Sequence, residues 1–317
     1  MRNQQPMLSR VADSLYWMSR YLERAEHTAR LLDVYLNTTL ESDDVINNPR
    51  YRLLSSLSLE DEMNNDEHVL RHLAFDSANS ASIVATVASA RENARQVREQ
   101  LSSEMWMQLN KLYLLVQQAD AEAIWRVSPH DYLVEIREHS HLFQGVTDAT
   151  MNHNQGWHFI QIGRYIERAL DLLTLLDAHF SEIPRDEDDI STEHYFDLVS
   201  TLKSVSAFEA YCKVYNPNVR SERIIEFLLF NGEFPRSLRF CIDNILVGLY
   251  ALADATGRRR DSQLYKRAGR LQSNLSYDEI ADIQHLPDYL SRIQQQIYQI
   301  HDMVYDTYIS YDIETAL

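Results

Sequence analysis

The stretch Leu8-Ser-Arg-Val-Ala-Asp-Ser-Leu-Tyr-Trp-Met-Ser-Arg-Tyr-Leu-Glu-Arg-Ala-Glu-His-Thr-Ala-Arg-Leu-Leu-Asp-Val-Tyr-Leu36 carries apolar residues at Leu8, Val11, Leu15, Met18, Leu22, Ala25, Ala29, Leu32 and Leu36. Intervals of three and four alternate strictly, which is the repeat of one face of an α-helix, sustained for about eight turns. Ser9 stands where an N-cap is expected, and the polar run Glu41-Ser-Asp-Asp-Val-Ile-Asn-Asn-Pro49 ends the pattern. The same periodicity predicts helices over 66–75, 80–101, 104–118, 131–151, 156–180, 193–215, 220–230, 235–254, 262–275 and 287–311. Breaks are expected at Pro129, Pro184, Pro217, Asn231-Gly232, Gly257 and Pro287. No stretch alternates like a half-buried strand, so the fold class is all-α, a multi-helix bundle.

Composition agrees with that reading. Seven Gly and seven Pro in 317 residues leave too few tight turns for an all-β fold. The first glycine is Gly145, so neither a dinucleotide fingerprint nor a phosphate-cradling P-loop can precede it, and the later glycines match neither spacing. The chain carries 30 Lys+Arg against 47 Asp+Glu, a formal charge of −17. That balance argues against a nucleic-acid binder, which needs a broad positive face. The two cysteines, Cys212 and Cys241, cannot frame a disulfide scaffold and point to a reducing cytoplasm. The longest apolar run, from Ile245 to Ala253, is too short to span a bilayer, so no membrane partner is expected.

An internal match organises the rest. Ser19-Arg-Tyr-Leu-Glu-Arg-Ala25 returns as Gly163-Arg-Tyr-Ile-Glu-Arg-Ala169, and Leu31-Leu-Asp33 returns as Leu175-Leu-Asp177, each at an offset of 144. Ala94-Arg-Gln-Val-Arg98 and Pro235-Arg-Ser-Leu-Arg239 match at an offset of 141, pairing Arg95 and Arg98 with Arg236 and Arg239. Two ordered matches at nearly equal offsets suggest two degenerate helical halves, 1–150 and 151–317, packed as one body about a pseudo-two-fold axis.

On a wheel of about 100° per residue, Arg20, Glu23, Arg24 and His27 fall opposite the apolar stripe, beside Tyr16 and Asp13. A solvated face stitched by i,i+3 and i,i+4 pairs is one account. In the second copy, however, Ile160, Ile162, Ile166, Leu170, Leu172 and Leu173 surround Arg164, Glu167 and Arg168, which argues for enclosure. Enclosed charges must pair or hold an anion. The two motifs are therefore expected to face each other, with Arg20, Glu23 and Arg24 against Arg164, Glu167 and Arg168. The surplus of arginine would suit a carboxylate or phosphate, or be closed by Asp13 or Asp171.

The opening Met7-Leu-Ser-Arg-Val-Ala-Asp-Ser-Leu-Tyr-Trp-Met-Ser-Arg-Tyr-Leu-Glu-Arg-Ala-Glu26 resembles the bacterial Alpha-E proteins, an α-helical family marked by a Glu-Arg motif. Ala90-Arg-Glu-Asn-Ala-Arg95, Ser103-Glu-Met-Trp106, Gly163-Arg-Tyr-Ile-Glu-Arg168, Ala207-Phe-Glu-Ala-Tyr211, Phe234-Pro-Arg-Ser-Leu-Arg-Phe240 and Ala268-Gly-Arg-Leu271 extend the likeness along almost the whole chain. The resemblance implies the company of a circularly permuted ATP-grasp ligase and of a transglutaminase-like protein, and hence a part in ATP-dependent amide or peptide formation. It brings no established catalytic residue beyond the Glu-Arg pairs.

Other chemistries find little support. His68 and His72 share a helical face beside Glu67, and Glu138 to His141 has the spacing of one half of a di-iron motif, but no further ligands complete either set, so no metal is expected. Cys212 and Cys241 sit in apolar surroundings without a cationic neighbour, and no nucleophile elbow is present. The carboxylates Glu60-Asp-Glu62, Asp66-Glu67 and Asp186-Glu-Asp-Asp189 read as solvated linkers. Arg258-Arg259-Arg260, with Lys266, Arg267 and Arg270, is the one basic cluster, suited to an acidic partner or an anionic ligand. Without cofactor, nucleotide loop or activated nucleophile, the leading reading is a non-catalytic partner or substrate-binding component of the ligase system. An enzyme of amide formation or aminoacyl transfer, and a purely structural scaffold, are the alternatives.

Overall fold

The computed structural model describes residues 7–41, 49–59, 65–180, 192–260 and 262–310. The carboxylate runs Glu60-Asp-Glu62 and Asp186-Glu-Asp-Asp189 and the break at Pro184 lie outside them. Fourteen α-helices and no strand are present among the described residues. They are α1 (Ser9–Glu41), α2 (Pro49–Ser56), α3 (Asp66–Leu70), α4 (Ile83–Gln96), α5 (Ser103–Gln117), α6 (Ala121–Val127) and α7 (Pro129–Thr150). There follow α8 (Gln155–His179), α9 (Thr192–Ser204), α10 (Phe208–Tyr215), α11 (Ser221–Phe230), α12 (Leu238–Thr256), α13 (Gln263–Tyr277) and α14 (Leu286–Val304). Among the described residues no helix is long and apolar enough to cross a membrane.

Local chemistry sets the ends that matter for the site. Asn154 caps α8, its side-chain oxygen accepting from Gly156 N at 3.0 Å, and Ser128 caps α7 ahead of Pro129, whose missing N–H would find no helical acceptor there. Ser237 caps α12, accepting from Phe240 N at 3.2 Å, and so fixes the preceding turn that carries Arg236. Gly257, at φ 68°, closes α12 in the left-handed region.

The expected helix over 193–215 is two helices. Ser206 adopts φ 53° between α9 and α10, a conformation that periodicity does not reveal. The helix expected over 80–101 stops at Gln96, and a 3-10 turn, Arg98–Gln100, follows it. The short helices α2 and α6 were not anticipated, and Pro49 opens α2 rather than only ending the polar run.

Helices α1 and α8 form the central pair. α4 and α7 flank α1, whereas α12, α2 and α14 pack on α8; α5 bridges α4 and α7, and α13 lies against α12 and α14. Glycine permits the closest approaches. A Cβ on Gly163 of α8 would overlap Ser19 Oγ and come within 2.5 Å of the Tyr16 carbonyl oxygen of α1, and one on Gly248 of α12 would lie 2.8 Å from Ile162 Cγ1. Ser19 and Gly163 are the first residues of the two matching motifs, so the motifs meet at the helix crossing.

Candidate functional site

Because α1 is covered on every side, its charged face is interior. Arg20, Glu23, Glu26, His27, Arg30 and Asp33 are all buried, and so are Arg164, Glu167 and Arg168 on α8. Arg24 is the partial exception, its side chain 31% exposed.

The two motifs exchange partners across the crossing. Arg168 binds Glu23 through two hydrogen bonds, Nε to Oε1 at 2.6 Å and Nη2 to Oε2 at 2.9 Å. Reciprocally, Arg24 Nε donates to Glu167 Oε1 at 2.6 Å, and Arg20 Nε donates to Glu167 Oε2 at 2.6 Å. Arg164 does not complete the symmetry: its Nη2 donates to Gln161 Oε1 on its own helix, and its buried Nε has no hydrogen-bond partner.

A second tier extends the network along α1. Arg236 reaches Glu23 Oε1 at 3.3 Å and Glu26 Oε2 at 2.8 Å, and its turn is held by Arg168 Nη1 donating to the Pro235 carbonyl at 3.0 Å. Glu26 also pairs with Arg30, and His141 Nε2 of α7 lies 3.2 Å from it. Gln144 Nε2 donates to Glu23 Oε2 at 3.2 Å. Beyond these, Arg137 Nη1 donates to Asp33 Oδ2 at 2.7 Å, and His130 Nδ1 lies 2.5 Å from Asp33 Oδ1.

The electrostatics follow from burial set against pairing. Burial pushes the Glu23 carboxyl up, but Arg168 and Arg236 outweigh it and hold it well below the ordinary carboxylate range. For Arg168, burial opposes the charge, whereas Glu23 more than restores it and raises the guanidinium. Arg236 is pushed down to about 10, first by burial and then by Arg168, a sign that cations are in excess. His27 falls to about 4 through burial and then Arg236, so it is neutral at pH 7. Asp171 is raised well above its usual value, by burial and then by Glu167. Asp13, in contrast, lies beside Trp17 and Tyr305, away from the paired glutamates.

A cleft of about 210 Å³ opens beside the network between α1, α8 and the end of α2. Arg20, Arg24, His27, Thr28, Glu167 and Asp171 contribute its polar wall, and Leu57, Leu59, Leu73 and Leu170 its apolar one. Three buried polar atoms of that wall have no hydrogen-bond partner: His27 Nε2, Thr28 Oγ1 and Asp171 Oδ2.

Arginines of the sequence-level repeat separate here. Arg236 joins the network, but Arg95 is exposed and pairs with Glu92 at 2.7 Å on its own helix. Arg98 donates to the Leu101 carbonyl at 3.2 Å and lies over the Trp106 ring, and Arg239 stands 4.0 Å from Asp243. Arg258 and Arg260 lie on the surface over the rings of Tyr308 and Tyr250, and Arg260 pairs with Asp254, so neither enters the motif network. Arg259 is exposed in the same segment. His72 pairs with Asp76 at 3.2 Å, and among the described residues no three His, Cys, Asp or Glu side chains are grouped to hold a metal. Cys241 is buried, and burial raises its thiol to about 12.

Glu26, Arg30 and Asp33 escaped the sequence reading, although they continue the three-and-four spacing from Glu23 along the same helix. Arg137, His141 and Gln144 carried no such signal, since their partners lie more than 100 residues away in sequence.

The Alpha-E family model, described as "a predicted alpha-helical domain with a conserved ER motif", matches residues 7–309. Uncharacterized proteins of Mycobacterium bovis and of two Mycobacterium tuberculosis strains are each 27% identical to this chain over 285 residues, 80% of the chain and 31% of theirs. The chain thus spans about a third of the length of these curated relatives. No solved structure matches it.

Proposed function

The chain belongs to the Alpha-E family, and we propose that it is a non-catalytic, helical binding component of an ATP-grasp ligase system that forms amide or peptide bonds. In this reading the bundle receives a carboxylate- or phosphate-bearing small molecule or peptide and presents it to the ligase, which supplies the nucleotide chemistry. The observation that carries it is the cleft beside the Glu-Arg motifs, lined by Arg20 and the part-exposed Arg24, where His27 Nε2, Thr28 Oγ1 and Asp171 Oδ2 stand unpartnered. In the motif network behind it, Arg20, Arg24, Arg30, Arg164, Arg168 and Arg236 outnumber Glu23, Glu26, Glu167 and Asp171. Paired charges enclosed in this way hold their geometry without reorganising, which suits recognition of a small charged ligand. Co-purification from native cells tests the partnership, with the circularly permuted ligase as the expected companion and a transglutaminase-like protein as a second. Assay of the purified chain with ATP and amino acids tests the absence of catalysis: turnover without the ligase contradicts this reading and favours an enzyme.

A further inference from the structure

We propose that the cleft beside the motif helices is a binding site for a small zwitterionic α-amino acid with an apolar side chain, its ammonium on Asp171 and its carboxylate on Arg24. This deepens the reading of the chain as a binding component and rests on it.

The two ends of the wall differ in chemistry. Arg24 gives Nε and Nη2 to Glu167 Oε1, both at 2.6 Å, which leaves Nη1 for an incoming oxygen, and its 31% exposed side chain stands where a ligand can reach it. Asp171 lies one turn beyond Glu167 on α8, and its buried Oδ2 has no partner. An unsatisfied carboxyl at that depth is costly, and an ammonium would both bond it and restore its charge. Its raised pKa expresses the same want of a cation. His27 and Thr28, 3% and 1% exposed, each hold one more unpartnered polar atom in the same wall, so the site carries hydrogen-bonding capacity that nothing in the protein uses.

Size and lining narrow the class. A volume of 210 Å³ equals the share of about seven waters in the liquid, which admits a molecule of under about ten heavy atoms and no larger chain. Leu57, Leu59, Leu73 and Leu170 would cover an apolar side chain. A simple anion would satisfy Arg24 but leave Asp171 without a partner and add negative charge beside it.

The test is calorimetric titration of the full chain with L-alanine and L-leucine, and with N-acetyl-L-alanine and L-leucine amide, which have the nine heavy atoms of L-leucine and lack one charge each. Saturable binding of at least one free amino acid is expected, weakened at least about tenfold by either blocking group and by Asp171→Asn. If Asp171→Asn loses its helical circular dichroism, Thr28→Val replaces it, and the blocked ligands still test wild-type protein. No saturable binding of either free amino acid, or equal binding of the blocked forms, overturns the proposal. Acetate or inorganic phosphate binding as tightly as L-leucine overturns the zwitterion but leaves the broader anion-binding function standing. Failure to recover a ligase from cells while L-leucine binds has the opposite meaning.

Discussion

Arg168 holds Glu23 with a two-point grip, 2.6 and 2.9 Å long, between side chains 145 positions apart and 8% and 1% exposed. Arg236 and Gln144 bind the same carboxylate, so removing it strands the buried Arg168 guanidinium and leaves Arg236 with Glu26 alone. Glu23→Ala is therefore expected to cost about 3–5 kcal/mol, the range for an uncompensated buried charge. Glu92→Ala, which breaks an exposed pair with Arg95, should change stability little. Urea denaturation of both variants checks the contrast, and a Glu23→Ala protein as stable as wild type would mean the grip does not form.

Three histidines whose charge the fold disfavours make stability fall in mild acid. His27, His141 and His179 are lowered to about 4, each first by burial and then by a neighbouring arginine, from an ordinary value near 6.5. Between pH 6.5 and 4 the unfolded chain then binds more protons, so their stabilisation is complete above 6.5 and drains away as the pH drops toward 4. Each contributes a slope of at most about 1.4 kcal/mol per pH unit, and half-exposed His141 less than that. Glu23, lowered in the folded state, adds a loss only below the ordinary carboxylate range. Urea midpoints should decline steadily from pH 6.5 to 4, with a shallower decline in His27→Gln. A flat profile over that window contradicts the assignment.

Asp171 works with the opposite sign. Its folded pKa is raised, so raising the pH through that value forces a proton from a buried carboxyl and lowers stability. Asp171→Asn keeps the shape without the charge and should be more stable than wild type at pH 8, the gain shrinking as the pH falls toward 4. Thermal melts at the two pH values measure it, and a gain that grows in acid would reverse the argument.

Helix periodicity made α1 and α8 legible from sequence, together with the residues that meet where they cross, because a three-and-four repeat reports which face of a helix is apolar. It does not report what covers the other face. The wheel set Arg20, Glu23 and His27 opposite the apolar stripe of α1, and only the enclosed second copy around Arg164 hinted that this face is interior. Arg95 and Arg236 occupy matching sequence positions, yet one is exposed and the other binds Glu23 and Glu26, since the turn at Pro235 is pinned by Arg168 and nothing pins Arg95 to the motifs. Ser206 breaks a continuous helical pattern through a backbone angle that carries no composition signal. The unpartnered atoms of His27, Thr28 and Asp171 were beyond reach for a related reason: a missing partner is a property of the packed interior, and no spacing encodes it.

The surface arginines are expected to act on binding rather than on folding. Arg260 and Asp254 form a half-exposed pair, and Arg258 lies 5.2 Å over Tyr308. Replacing Arg258, Arg259 and Arg260 with alanine should cost little, since exposed pairs contribute about 0–1 kcal/mol each. Weak binding of an acidic peptide such as oligoglutamate should drop in the triple variant and, in wild type, fade with added salt. A large fall in melting temperature with peptide binding unchanged would make the segment structural.

Two glycine substitutions should move stability in opposite directions. Gly163 faces Ser19 and the Tyr16 carbonyl where α1 and α8 cross, and a methyl there would stand within 2.5 Å of that backbone oxygen. A carbonyl cannot rotate aside as a flexible side chain does, so the helices themselves must part, and the Arg168 and Glu23 groups a turn away would separate with them. Overpacking of a tight core costs about 1–3 kcal/mol, and strain on the ion pairs places Gly163→Ala at the upper end. Gly145 is exposed in α7, and a Cβ there meets nothing within 4 Å. Gly145→Ala should instead stabilise by about 0.5–1 kcal/mol, because alanine loses less backbone freedom in a helix. Paired thermal melts of the two variants, with wild type between them, check the close approach of α1 and α8. Gly163→Ala melting at or above wild type would show that the two helices do not meet at that residue.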